Sequence, residues 1–147
     1  MHKIIERILL LMLAVNLDVS AQTFNGQPYD LKIFNKEKEN VLNMILNSTQ
    51  FDSIYNSKRV VFIENELLTK TSLLKLKKGK CKVKIKRKNE IKPNEEYVAL
   101  GDFTCDPSKM THVRVQISNS IKHVMLNIST DKLDNGWKIS NHIIMQD

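Results

Sequence analysis

The residues of this chain best suited to chemistry are basic ones. Between Lys75 and Lys92 there are ten basic side chains and one acid, Glu90, whereas the rest of the chain holds thirteen basic against fifteen acidic residues. The formal net charge of +7 therefore arises in one short stretch. Within it Lys80, Lys82, Lys84 and Lys86 alternate with Cys81, Val83 and Ile85, and Arg87 and Lys88 follow. Such a concentration of positive potential attracts polyanions. Lysine acts as a point charge, so the expected contact is salt-sensitive and has no fixed geometry. The plainer alternative is a solvated strand face, or a sheet edge that lysines guard against aggregation.

Other chemistry is more thinly represented. Cys81 and Cys105 are the chain's two cysteines, 24 residues apart, and can form an inter-strand disulfide if their strands are neighbours. Otherwise they are two buried thiols. His112, His123 and His142 are expected on one sheet face, but no HxH or HxxxH pair brings imidazoles to ligand distance, and nearby Arg and Lys repel a cation. No metal is expected. Asp102 is a weak catalytic candidate, because a general base needs a placed partner and spacing locates none. There is no glycine-rich phosphate loop, nucleophile elbow or metal motif, so no cofactor is expected. No aromatic residue interleaves the lysines, which leaves single-stranded nucleic acid without stacking platforms.

The elements that must carry these residues follow from periodicity. Val41, Leu42, Ile45 and Leu46 recur at helical spacing, with Asn35 the expected N-cap and Glu37 and Glu39 in the first turn. A further helical turn can carry Phe51, Ile54 and Tyr55. The period then changes. Val60–Ile63 reads as a buried strand, the segment 67–76 fits either a helix or a hairpin, and 80–86 alternates strictly, lysines on one face. Segments 97–105, 112–118, 121–130 and 137–144 read as four more strands, the last two joined at the turn Asp134-Asn135-Gly136. The expected fold is α+β: an N-terminal helix packed on a curved antiparallel sheet of five to six strands.

Residues 1–21 read as a signal peptide. Lys3 and Arg7 precede the apolar run Ile8–Val15, and Val19 and Ala21 suit a cleavage site that leaves Gln22 first. That run is shorter than the 20 or so residues needed to cross a bilayer, and no later segment is apolar enough, so no transmembrane segment is expected. Residues 22–147 then form a single domain. A composition rich in Lys, Asn and Ile is what AT-rich bacterial genomes encode, which points to the periplasm or the exterior of a bacterium. The composition, 41% hydrophobic and 27% charged with four Gly and three Pro, excludes a disordered or disulfide-dense chain.

The opening helix and the closing hairpin, His123-Val124-Met125-Leu126-Asn127-Ile128 through Asp134-Asn135-Gly136-Trp137-Lys138-Ile139, resemble the nuclear transport factor-like, or cystatin-like, roll. In that family a comparable strand, polar turn and "GWKI"-like strand close the sheet, with the Trp anchoring its edge. The middle of the chain departs from the pattern: no third helix is evident and the lysine-rich strand is unusual. The resemblance implies a roll, and rolls host isomerases, dehydratases and non-catalytic binding modules alike. The expected function is therefore that of an exported, non-catalytic binding protein. Lys80, Lys82, Lys84, Lys86, Arg87 and Lys88 would contact an acidic protein or an anionic cell-envelope polymer, as an inhibitor or immunity protein does. The alternative is an enzyme or small-ligand carrier whose site lies between helix and sheet, lined by Phe62, Tyr97, Asp102 and Phe103.

Overall fold

The computed structural model describes residues 22–24 and 27–146, and the expected signal segment and its cleavage point lie outside the described residues. A short antiparallel hairpin, β1 (Gln22–Phe24) and β2 (Gln27–Tyr29), leads into the main helix α1 (Leu31–Leu46). The helix begins five residues before the position expected from Asn35, with Asp30 as its N-cap. Asp30 is extended and its Oδ1 accepts from the amides of Lys32 (2.7 Å) and Ile33 (3.2 Å), satisfying donors that the first turn would otherwise leave free. Val41, Leu42, Ile45 and Leu46 form its fully buried stripe. Ser48 then caps a second short helix, α2 (Thr49–Ile54), which buries Phe51 and Ile54.

The main sheet has six strands in the order β10-β9-β8-β7-β3-β6. Four of them, β7 (Val98–Cys105), β8 (His112–Asn119), β9 (Val124–Leu133) and β10 (Gly136–Gln146), make an antiparallel meander. The other two depart from the all-antiparallel expectation. β3 (Val61–Ile63) runs parallel to both β7 and β6 (Lys84–Lys86). Parallel pairing needs a long connection, and the irregular excursion from Glu64 to Val83 supplies one. The ambiguous segment 67–76 forms neither helix nor hairpin, although Leu68 and Leu76 plug the core.

Alternation along β8 and β9 puts Val113, Val115, Ile117, Leu126, Ile128 and Thr130 on the side that shares a core with the helices. Together these side chains fill the space between helices and sheet. Asn119, buried at the end of β8, donates through Nδ2 to the Ile54 carbonyl and to Glu96, both at 2.8 Å, while its Oδ1 accepts from Ile121 and Lys122. One amide thereby ties α2, the entry to β7 and the β8–β9 turn together.

The sequence-level expectation that all three histidines share a face fails at one bulge. Strand β10 slips register between Ile139 and Asn141, so His142 lies opposite Ile128, on the helix side. His112 stays on the outer face, with Nδ1 2.6 Å from Asp131, and His123 occupies the β8–β9 turn with φ of 50°. The three imidazoles do not converge.

Candidate functional site

The lysine-rich stretch is built in two pieces where alternation alone predicts one strand. Lys77–Lys78 (β4) and Cys81–Lys82 (β5) form a small hairpin of their own, closed by Gly79 and Lys80. Gly79 takes φ of 58°, a left-handed conformation that glycine adopts without penalty. Val83 then turns inward, its amide bonding the Leu76 carbonyl, and at Lys84 the chain joins the main sheet as the edge strand β6, with an amide bond to Val60.

Helix α1 holds this hairpin by a ladder of side chains. Glu39 accepts from the Lys75 amide (2.8 Å). Asn43 accepts from the Lys77 amide (2.8 Å) and donates to the Lys75 carbonyl (3.1 Å). Asn47 accepts from the Gly79 amide (2.6 Å) and donates to the Lys77 carbonyl (3.0 Å). The match is geometric: four helical residues rise about 6.0 Å, and two strand residues advance about 6.7 Å. Polar side chains at i, i+4 and i+8 thus serve alternate backbone positions of an extended segment, as a neighbouring strand would. The spacing of Glu39, Asn43 and Asn47 beside the apolar stripe is a visible sequence signal, but the segment it serves lies more than thirty residues away.

The six predicted binding residues divide into two groups. Lys86 is clamped by Glu95, at 2.6 and 2.8 Å to its two oxygens, and the Arg87 Nε meets Glu64 at 3.1 Å. The Lys86 bond holds the Glu95 carboxyl below its ordinary range. Lys80, Lys82, Lys84 and Lys88 are exposed and make no ion pair among the described residues. Outside that set, Lys78 is turned inward onto Asp52 (2.7 Å), 5.0 Å from the Phe51 ring centroid, so its charge is spent on holding the hairpin to α2.

Lys82 and Lys84 stand between two open grooves. One, of about 540 Å³, is lined on its far side by Tyr55, Arg59 and Glu96. The other, of about 510 Å³, is lined by Lys70, Ser72, Leu74 and Glu90. Sequence reading missed Arg59 and Lys70, because only the pairing of β3 with β6 and the fold of the excursion bring them there.

Cys81 and Cys105 are free thiols. The bridge needs neighbouring strands, but Cys81 pairs opposite Lys78 in the small hairpin and Cys105 opposite Val113 in the main sheet. Burial pushes the Cys105 thiol up to about 11, so it is protonated at neutral pH and a poor nucleophile. The alternative site between helix and sheet is not assembled. Asp102 is exposed, opposite Gln116 on the outer face, and its carboxylate accepts from the Thr104 hydroxyl at 2.7 and 2.8 Å. Phe62 is fully buried in the core, and Phe103 packs edge-on against Phe34.

Among the described residues no group of three or more His, Cys, Asp or Glu side chains is arranged to hold a metal ion, and no helix is long and apolar enough to cross a membrane. Comparison with protein families, with curated proteins and with solved structures finds no match to this chain.

Proposed function

We propose that this chain is an exported, non-catalytic binding protein, a cystatin-like roll whose lysine-bearing edge contacts an anionic partner. The partner is an acidic protein or a cell-envelope polymer, engaged as an inhibitor or immunity protein engages its target. The observation that carries the reading is the state of Lys80, Lys82 and Lys84. They are exposed, have no carboxylate within ion-pair distance among the described residues, and follow one another along a hairpin that α1 holds in place and the edge strand paired to β3. Their neighbours Lys78, Lys86 and Arg87 are paired within the molecule, so the free cations are a subset that the fold leaves available.

The test is binding of the purified chain to polyglutamate, standing for an acidic protein, and to a polyglycerol-phosphate polymer, standing for an envelope component. The expected result is binding at low salt that weakens as salt rises. A Lys80→Glu/Lys82→Glu/Lys84→Glu variant should bind about tenfold more weakly or worse, since three cations become three anions. Equal binding by variant and wild type at low salt, or binding indifferent to salt, would sink the reading.

A further inference from the structure

The two edges of the sheet are treated very differently. Strand β6 is three residues long and begins and ends on lysine, a common protection against pairing with another chain. Strand β10, at the opposite edge, is eleven residues long and has no such protection. From Ile139 to Gln146 it carries no Lys, Arg, Asp or Glu, and neither does the facing stretch of β9 from Val124 to Thr130. Three consecutive apolar side chains near its end, Ile143, Ile144 and Met145, are 55%, 44% and 43% exposed. An edge strand presents alternate N–H and C=O groups without sheet partners, so this segment offers both a hydrogen-bonding row and apolar side chains.

We propose that β10 pairs with β10 of a second copy of this chain, antiparallel, about a two-fold axis passing through Ile144, to make a continuous twelve-stranded sheet. The choice of a second copy rests on the self-complementarity of the strand. In an antiparallel pair, facing residues must lie on the same side of the sheet. The β9 register puts Ile143 and Met145 on the outer side, opposite Asn127 and Met125, and His142, Ile144 and Gln146 on the helix side. A two-fold at Ile144 sets Ile144 against Ile144, Ile143 against Met145 on both halves, and His142 against Gln146. Every apolar residue of the run then faces an apolar residue. Centring on Ile143 would set Met145 against Asn141 and Ile144 against His142, leaving a single apolar pair. The bulge at Ser140 ends the pairing on its N-terminal side.

The charge distribution permits this geometry. The basic edge lies five strand spacings from β10, about 24 Å, well beyond the Debye length of about 8 Å at physiological ionic strength. Joined through β10, two copies keep their lysines at the far ends of the sheet. This inference does not depend on the function proposed for those lysines.

Sedimentation of the full chain across a range of concentrations tests it. A monomer–dimer equilibrium with affinity in about the micromolar range is expected for so small an interface. Ile144→Lys places two like charges on the axis and should weaken association about 100-fold or more. Leu133→Lys, an equally exposed apolar position outside the paired run, should leave association unchanged. Amide exchange at His142–Gln146 should slow as the dimer forms, while that at Lys84–Lys86 stays constant. A wild type that remains monomeric at every concentration would overturn the proposal. So would a dimer that Ile144→Lys does not weaken, or one that leaves the His142–Gln146 amides unprotected. Open-ended polymers would equally refute it, because a two-fold contact closes.

Discussion

Glu37 joins α1 to the last hairpin through two bonds, from Lys132 Nζ (2.8 Å) and from the indole Nε1 of Trp137 (2.7 Å). Burial works to raise the pKa of this carboxyl, but the two bonds outweigh it and hold the group below its ordinary value. A carboxylate with a depressed pKa stabilises the fold above its unfolded pKa, near 4.3, and that contribution disappears as pH falls through the folded value. Glu37→Gln should therefore cost about 1 kcal/mol near neutral pH and less at about pH 3. Urea unfolding followed by fluorescence of Trp137, the sole tryptophan, measures the difference at both pH values. A gap that persists undiminished in acid would show that the charge of Glu37 is not what matters. The resemblance of the closing hairpin to roll-type proteins implies Trp137 as an anchor of the sheet edge, whereas residue types place Glu37 in a first helical turn as a partner of the dipole. Its actual role needs a contact across a hundred residues of chain.

At the scale of elements, the ladder from α1 to the lysine hairpin is the device that positions the candidate site. Asn43→Ala/Asn47→Ala removes four of its bonds at once. The helix itself should persist, since alanine is the better helix former. Amide exchange at Lys77 and Gly79 should then accelerate about tenfold or more, as their acceptors are lost. Unchanged exchange at those two amides would mean that the hairpin holds itself in place. Strands β8 and β9 were legible within a few residues because each has one buried face, and period-2 alternation is its direct imprint, as in Val113, Val115 and Ile117. The lysine stretch shows where that logic stops. Its alternation is genuine, with Val83 inward and Lys82 and Lys84 outward, yet periodicity carries no information on which partner each half pairs with. A single bulge at Ser140 likewise reverses every residue after it, and no pattern in the strand announces it.

The molecule as a whole is polarised across its sheet, cationic at the β6 edge and free of Lys, Arg, Asp and Glu from Ile139 to Gln146 of the β10 edge. The two proposed contacts should therefore answer to salt in opposite senses. Screening weakens attraction between the lysines and a polyanion, whereas it relieves the residual repulsion between two copies of a +7 chain. Raising salt should release polyglutamate while holding or strengthening self-association, and titration and sedimentation of one preparation read both. Parallel loss of the two with salt would mean that one surface serves both. The sequence by itself determined the α+β class, the apolar stripe of α1, the strands of the meander and the concentration of charge, because each is written in residues close together along the chain. Only the tertiary structure decided which lysines are free, that Cys81 and Cys105 lie on strands that do not pair with each other, and that Asp102 faces away from the core. Those outcomes depend on which distant segments become neighbours, and that is settled by the packing of the whole chain around one core.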